Sequence, residues 1–394
     1  MATKHNSSTD MQLSDEQKSP RPTARESIMK IEAYVPGKSS VGKSGNAHSG
    51  EQNPLKIHKL SSNETPFGPS SSAIEAYAQA AKTLATYPEG SSKKLREAIG
   101  QKWGINPEQI ICGAGSDELL SLTAYTLMNP HDEGIFTEHG FLVYKIAIMA
   151  AGGTAVIASE KHFKADVDDI LSRISPQTKI IYIANPNNPT GTYLCPDEMK
   201  RLHAGIPSNV LLVIDGAYAE YVAGEEEASL SLAQTFENVV ISRTFSKVYG
   251  LAAARLGWMY GAKHMIDAMN RIRGPFNVST AAMDAGVAAL QDTAHLQKSV
   301  AHNTLWREWL TREITALGLA VTPSQANFIL IHFPNNNHQN ASIADEYLSE
   351  RGLILRRVSA YGLPQCLRLS VGSQDANEAL VSALSEFMKQ AEHD

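Results

Sequence analysis

The stretch "TKIIYIANPNNPTG" covers residues 178–191, and its first seven residues form an apolar, β-rich run that leads into a cluster of Asn and Pro. Two similar runs follow, "NVLLVID" at residues 209–215 and "NVVIS" at residues 238–242. All three are apolar on both faces, as strands of a parallel sheet covered by helices would be. Helical patterns alternate with these runs, so the sequence predicts an α/β domain with right-handed crossovers.

The same alternation extends in both directions along the chain. Before these runs, "QIIC" predicts a strand, "GAGS" a glycine-rich turn and "DELLSLTAYTLM" a helix. After about residue 285, "LQKSVAHNTLWREWLTREITALG" predicts a long amphipathic helix, and "NFILIHF" and "LRLSVG" predict two strands. We therefore expect a large domain with a mostly parallel sheet covered by helices, followed by a smaller α+β domain.

Composition excludes several classes of function. The 394-residue chain has a formal net charge of -6, which gives no basic footprint for nucleic acid. Its three cysteines form no CxxC pair and its histidines show no HExxH spacing, so we predict no metal site and a reducing, cytoplasmic location. No apolar window reaches the roughly 20 residues of a membrane span. Residues 1–25 are polar, lack a signal-peptide core and are interpreted as a disordered tail.

Polar side chains follow each of the three central runs. Asn188 follows the first, Asp215 ends the second with Tyr218 three residues on, and Lys247 follows the third. Open α/β sheets bind ligands at the carboxyl ends of their strands, so these side chains are expected at one edge. A lysine that forms a Schiff base and a carboxylate that keeps a pyridine nitrogen protonated are the groups that pyridoxal phosphate requires.

The phosphate of such a cofactor needs an anion site, and "GAGSDELL" at residues 113–120 provides one. A glycine-rich turn there precedes a helix, whose first backbone N–H groups are free to bind an anion. The third glycine of a dinucleotide fingerprint is absent, which argues against a nicotinamide cofactor. Ser246 and Arg255 would complete the site. Taken singly, Asp215 has an ordinary alternative as a helix cap and Lys247 as a surface lysine, but the order of these elements together favours a cofactor site.

Several motifs resemble the fold-type I pyridoxal-phosphate aminotransferases, namely "NNPTG", "DGAYAEY" and "RTFSKVYGLAAARLGW". Others are similar to the histidinol-phosphate aminotransferases within that family, namely "KLSSNETPFGPS", "YPEGSSKKLREAI", "RIRGPFNVS" and "YGLPQCLRLSVG". The likeness runs from about Ile31 to Phe387.

The resemblance implies a role for each matching position. Lys247 would be the catalytic Schiff-base lysine, Asp215 the pyridinium partner, and Asn188 and Tyr218 the donors to the ring hydroxyl. Phe141 falls where the family stacks an aromatic ring on the cofactor. The positions that match or adjoin the phosphate-binding residues are Gly115, Ser116, Asp117, Thr244, Ser246 and Arg255.

The resemblance also implies partners and substrates. Tyr87 matches a tyrosine that reaches the cofactor phosphate of the neighbouring subunit, which implies a homodimer. Arg368, with Arg356 as its helper, matches the arginine that binds the substrate's anionic group, and Tyr34 matches a substrate-phosphate contact. The expected substrates are histidinol phosphate and 2-oxoglutarate, which yields glutamate.

The same likeness implies that both ends of the chain build the small domain, which makes it discontinuous. The expected divisions are a tail at residues 1–25, an N-terminal arm with part of the small domain at 26–85, the large cofactor domain at 86–285 and the small domain at 286–394.

The sequence leaves three alternative functions open. An aromatic amino acid aminotransferase would use the same residues on phenylalanine or tyrosine. A phosphate-substrate decarboxylase would hold the leaving carboxylate out of the ring plane, which no motif reveals. A cofactor-binding regulatory module would need a fused DNA-binding domain, and residues 1–50 are short, polar and without helical periodicity.

Overall fold

The computed structural model describes residues 22–33 and 56–390. Most of the tail interpreted as disordered, and Tyr34, lie outside these residues. The strands, in chain order, are β1 (His58–Lys59), β2 (Ile110–Gly113), β3 (Glu133–Thr137), β4 (Thr154–Ala158), β5 (Glu160–Lys161), β6 (Lys164–Ala165), β7 (Thr178–Ala184), β8 (Leu211–Asp215), β9 (Val239–Thr244), β10 (Gly257–Gly261), β11 (Ala320–Thr322), β12 (Phe328–His332), β13 (Leu353–Ile354), β14 (Arg356–Val358) and β15 (Leu363–Ser370).

Helices separate most of these strands. In chain order they are α1 (Glu26–Met29), α2 (Ser71–Gln79), α3 (Lys93–Trp103), α4 (Ser116–Leu127), α5 (Leu142–Ala151), α6 (Val167–Ser172), α7 (Pro196–Ala204), α8 (Glu225–Thr235), α9 (Lys263–Asn270), α10 (Thr280–Gln291), α11 (Thr293–Ala316), α12 (Ala341–Glu350) and α13 (Gln374–Gln390). In the part of the chain that the structure describes, no helix is long and apolar enough to cross a membrane.

A seven-stranded sheet forms the centre of the large domain, in the order β2-β10-β9-β8-β7-β3-β4. The three apolar runs predicted to pair are the neighbours β7, β8 and β9, and they are parallel. Only β10 among these seven strands runs antiparallel to its neighbours. The prediction of a mostly parallel sheet covered by helices is therefore confirmed.

Both faces of this sheet are buried, which explains why the runs lack a polar face. Leu212 and Ile214 of β8 pack into one hydrophobic cluster, whereas Leu211 and Val213 pack into another on the opposite face. Successive side chains of a strand point to opposite faces of the sheet, so a strand with helices packed on both faces must be apolar throughout. Each such side chain contributes about 1.5–3 kcal/mol through burial.

The smaller sheet has the order β11-β12-β15-β14 and is antiparallel. Strand β1, from the N-terminal part of the chain, pairs in parallel with β13, and Leu60 joins the hydrophobic core of the C-terminal unit. The Ser370 amide also donates to the Leu60 carbonyl at 2.9 Å. These contacts bring residues 58–63 between the two sheets, next to the carboxyl ends of β7, β8 and β9.

Candidate active site

A cavity of about 280 Å³ lies at the carboxyl ends of the central strands and is closed on its other side by residues of the small sheet. It gathers nearly all of the site residues predicted from the sequence. Those that line it are Ser116, Asp117, Phe141, Asn188, Asp215, Tyr218, Thr244, Ser246, Lys247, Arg255, Arg356 and Arg368.

Asp215, the last residue of β8, is a buried carboxylate held by two hydroxyl groups. The Tyr144 hydroxyl donates to one oxygen and the Ser242 hydroxyl to the other, each at 2.8 Å. Burial raises the pKa of Asp215, and the two donated hydrogen bonds act against that rise. Within the described residues Asp215 has no ion pair with Lys, Arg or His, so its charge is compensated only by dipoles.

Lys247 lies in the loop after β9, with its amine facing the cavity. Its Nζ donates to the Ser62 carbonyl at 3.2 Å and lies 5.7 Å from the centre of the Tyr218 ring. Burial, and secondly the positive charge of Arg368, lower the pKa of the Lys247 amine from 10.5 to about 8. An amine with this pKa is available in its neutral, nucleophilic form near neutral pH.

Asn188 follows β7, Tyr218 follows β8, and both side chains line the cavity. The Asn188 side-chain oxygen accepts from Arg368, which leaves the amide nitrogen as the group that can donate elsewhere. Tyr218 is buried, and its ring packs edge-on against Phe328 at 5.1 Å. Phe141, just before α5, lines the cavity and contacts Tyr144 edge-on.

The N-terminus of α4 lies where the sequence predicts an anion site. Ser116 begins this 12-residue helix, and Arg255 approaches it with one nitrogen 3.4 Å from the Ser246 hydroxyl. Gly115 is required here for two reasons: its φ is +87°, and a Cβ would lie 2.4 Å from an Arg255 nitrogen. Free N–H groups, a hydroxyl and a guanidinium together are suited to a phosphate.

Two arginines of the small sheet face the same cavity. Arg356 of β14 and Arg368 of β15 are directly opposite each other in the antiparallel register. Arg368 is buried, and its second guanidinium nitrogen donates to the Ser61 carbonyl at 2.7 Å. Like charges placed directly opposite on neighbouring strands destabilise a sheet unless an anion compensates them.

Two predicted cofactor residues do not line this cavity, namely Gly115, which directly precedes the lining residue Ser116, and Tyr87. The Tyr87 side chain is 82% exposed and stacks on Phe276 at 4.7 Å, on another part of the surface. Tyr34 lies outside the described residues.

Three residues that were not predicted from the sequence form hydrogen bonds or contacts with the predicted site residues. Ser242 could have been found, because parallel pairing places it opposite Asp215. Tyr144 lies one helical turn after Phe141, on the same face of α5, which is a weaker signal. Asn63 donates to the Tyr218 hydroxyl at 2.9 Å from a distant part of the chain, and no local pattern indicates this contact.

Comparisons with known proteins match this geometry. The family described as "Aminotransferase class I and II" matches residues 56–384. Proteins named histidinol-phosphate aminotransferase from Rhodopseudomonas palustris (strain BisB18) and Nitrobacter hamburgensis are each 53% identical to this chain over 371 residues, covering 94% of this chain and 99% of each relative.

Solved structures share the fold. The crystal structure of histidinol-phosphate aminotransferase from Sinorhizobium meliloti in complex with pyridoxal-5'-phosphate has a TM-score of 0.78 and 27% identity, covering 86% of this chain and 92% of that chain. A double mutant of Thermus thermophilus aspartate aminotransferase has a TM-score of 0.74 and 22% identity, covering 84% and 92% of the two chains.

Proposed function

Because the chain belongs to the class I and II aminotransferases, we propose that it transfers the amino group of histidinol phosphate to 2-oxoglutarate, with pyridoxal 5'-phosphate as cofactor. The products are imidazole acetol phosphate and glutamate, which makes the enzyme a histidine-biosynthesis aminotransferase. The observation that carries the substrate assignment is the pair of opposed arginines, Arg356 and Arg368, at the cavity that contains Lys247.

The residues present fit the cofactor at both of its ends. Asp215 is a buried carboxylate without a cationic partner among the described residues, which a protonated pyridine nitrogen would compensate. The N-terminus of α4, with Ser246 and Arg255, would bind the phosphate. When bound, the cofactor supplies a ring that takes up the electron pair released when the substrate's Cα–H bond breaks.

The chain itself provides the proton transfer and the hydrogen-bond donors. Lys247 is the proposed attachment residue, and its amine then moves the proton from the substrate Cα as a general base. Its lowered pKa suits that task, because an amine with a pKa of about 8 exchanges protons readily near neutral pH. Asn188 and Tyr218 would donate to the ring oxygen, and Phe141 would pack against the ring.

Binding of both substrates requires an anion site that accepts a phosphate and a carboxylate in turn. Histidinol phosphate carries a phosphate, whereas 2-oxoglutarate carries carboxylates, and a guanidinium can bind either group with two parallel hydrogen bonds. Arg368 is fixed by Ser61 and Asn188, so its orientation is set before the substrate arrives. Arg356, opposite it, adds the second positive charge that a phosphate dianion favours.

The substrate assignment is tested by removing one arginine and comparing two donors. In Arg356→Ala we expect kcat/KM for histidinol phosphate to fall by about 10–100-fold, which is the effect of losing one charge-assisted hydrogen bond. We expect a smaller fall in kcat/KM for phenylalanine. Arg357→Ala is the matched control, because Arg357 is the next residue along β14 and its side chain is exposed, so this substitution removes the same charge away from the cavity. If phenylalanine is the better donor of the wild-type enzyme and Arg356→Ala affects both alike, the aromatic aminotransferase alternative is correct.

A homodimer is supported by the surface around Tyr87. Tyr77, Leu84, Tyr87, Ile272 and Phe276 are all exposed large hydrophobic side chains, and Leu84 and Tyr87 are more than four-fifths exposed. Large apolar patches of this kind mark protein interfaces. In the proposed dimer this surface is covered by a second copy, and Tyr87 enters the partner subunit's phosphate site.

Mixing two inactive variants tests the shared site. Lys247→Ala lacks the attachment residue, and Tyr87→Ala lacks the residue contributed to the other subunit, so each alone should be strongly impaired. In a random mixture half of the dimers are mixed and carry one complete site of two, so about a quarter of wild-type activity should return. No recovery after verified subunit exchange, or full activity of an isolated wild-type monomer, would show that each site is complete within one chain.

The proposed location is the cytoplasm, a reducing compartment, which is supported by the three free cysteines Cys112, Cys195 and Cys366. The proposed domain division keeps the boundaries expected from the sequence, at residues 25, 85 and 285. It is supported by the separate hydrophobic cores of the two sheets and by the pairing of β1 with β13.

A further inference from the structure

Asn63 is a buried residue in a left-handed backbone conformation, with φ of +56°, between the small sheet and the cavity. Its backbone N–H donates to the Ser370 hydroxyl at 2.8 Å, and that hydroxyl lies 3.0 Å from the Asn63 side-chain oxygen. Its side-chain nitrogen donates to the Tyr218 hydroxyl at 2.9 Å, and its carbonyl accepts from Asn327 at 2.9 Å. Every polar group of Asn63 thus contacts another part of the protein.

The chemistry of these groups fixes the direction of each hydrogen bond. A backbone N–H can only donate, so Ser370 must accept from it, and the Ser370 hydrogen is free to be donated to the Asn63 side-chain oxygen. With that oxygen occupied, the Asn63 amide nitrogen is the group that faces Tyr218, and it too can only donate. The Tyr218 oxygen is therefore an acceptor toward Asn63, and its own hydrogen must point in another direction.

We propose that Asn63, oriented by Ser370, is a positioning residue that directs the Tyr218 hydroxyl hydrogen into the cavity. The inference rests on the proposed function, in which Tyr218 donates to the negatively charged ring oxygen of the cofactor. A hydroxyl that accepts one hydrogen bond is polarised into a stronger donor, so Asn63 also strengthens the bond that Tyr218 makes. Asn63 itself acts only through Tyr218.

The same arrangement ties Tyr218 to the strand that binds the substrate. Arg368 and Ser370 are two residues apart on β15, so their side chains share one face of the strand. Arg368 also donates to the Ser61 carbonyl, two residues before Asn63. The strand that presents the substrate arginine therefore holds the residue that orients Tyr218.

A glycine at position 63 provides a clean deletion, because glycine tolerates the left-handed φ that other residues do not. The readout is the pH midpoint of the absorbance change of the bound cofactor in the holoenzyme. A donor to the negatively charged ring oxygen stabilises the deprotonated form, so a weaker donor raises the midpoint. For Asn63→Gly we expect an upward shift of about half to one pH unit, the effect of losing part of one hydrogen bond to a charged group.

A double-mutant comparison separates positioning from a general structural effect. In a Tyr218→Phe background, Asn63→Gly should cause no further shift, because the hydroxyl it orients is gone. Ser370→Ala should cause a smaller upward shift that also vanishes in the Tyr218→Phe background, and it serves if Asn63→Gly does not fold. Asn327→Ala is the control, since it removes a hydrogen bond to the Asn63 carbonyl and should leave the midpoint unchanged.

The outcomes distinguish this inference from the proposed function. If the wild-type protein shows no pH-dependent cofactor absorbance, or if Lys247→Ala leaves that absorbance and its midpoint unchanged, the proposed function itself is wrong. If wild type binds the cofactor but the Asn63→Gly shift is absent, or persists fully without the Tyr218 hydroxyl, the positioning role is refuted. A shift that depends on the Tyr218 hydroxyl supports it.

Discussion

Replacing Lys247 with methionine should stabilise the cofactor-free protein at neutral pH. The fall in the pKa of Lys247 from 10.5 to about 8 corresponds to about 3 kcal/mol, because the protonated amine is less favourable in the folded state than in the unfolded chain. Methionine has a similar length and no charge, so it removes this cost. The Ser62 carbonyl loses its donor, which reduces this stabilisation by about 1 kcal/mol, so we expect the free energy of unfolding to increase by about 2 kcal/mol.

The pH dependence of this gain identifies its cause. Below about pH 8 the amine is protonated in both states and the full cost applies; as pH rises from 8 toward 10.5 the folded state has released its proton and the unfolded chain has not, so wild-type stability rises. The charge cost should fall from about 3 to about 1 kcal/mol by pH 9.5, so the net advantage of Lys247→Met should nearly vanish there. Urea unfolding of both apoproteins at pH 7 and pH 9.5 measures this, with the exposed Lys94→Met as control. A Lys247→Met protein no more stable than wild type at pH 7, or a gain equal at both pH values, would refute the reasoning.

Three further predictions concern the surroundings of the site. Tyr144→Phe removes one of the two hydroxyl donors to Asp215, so the pKa of Asp215 should rise further. The acid limb of the pH–activity profile should then move to higher pH, with about tenfold weaker cofactor binding. Gly216→Ala should destabilise the protein by about 1–3 kcal/mol in urea unfolding, because the new Cβ would lie 2.2 Å from a guanidinium nitrogen of the buried Arg243. If the proposed dimer forms, Leu84→Asp should convert it to monomer in sedimentation experiments, because a charge would be buried in the proposed apolar interface.

Each of these has a matched control elsewhere in the chain. Tyr182→Phe removes the hydroxyl of a tyrosine stacked on Tyr144 that donates to Leu120 instead, so cofactor affinity should be unchanged. Gly274→Ala places a Cβ at an ordinary 3.7 Å contact and should cost little. Leu305→Asp puts the same charge on another exposed leucine and should leave the assembly intact. Equal effects in variant and control would contradict the assigned cause.

The sequence predicted the parts of the site that lie at strand ends. Asn188, Asp215 and Lys247 each follow an apolar run, and the parallel sheet brings the ends of such runs to one edge whatever the helices between them do. The register of that sheet could also have placed Ser242 beside Asp215, since it is the paired residue on β9.

Contacts that depend on packing between distant segments could not be predicted in this way. Asn63 is 155 residues from Tyr218 and 307 residues from Ser370 in the sequence. Its left-handed backbone is adopted without a glycine at that position, so the sequence gives no signal for it. The opposition of Arg356 and Arg368 depends on the register of β14 and β15, which includes an irregularity after Arg357. A residue type alone indicates none of these relationships, because polar residues of the same kinds are common on any surface.

The charged groups that line the cavity indicate what kind of molecule it suits. Asp215 is a buried carboxylate that accepts from hydroxyl and backbone donors and has no ion pair among the described residues, so a neighbouring cation would stabilise its charge. Arg356 and Arg368 place two positive charges opposite each other on neighbouring strands, so an anion in front of them would be favourable. The N-terminus of α4, where Arg255 also pairs with Asp117, favours a second anion. A ring that is cationic at one position and carries a phosphate at another, together with a substrate that is anionic at its far end, suits all three places at once. A neutral or purely aromatic ligand supplies no anion to the opposed arginines.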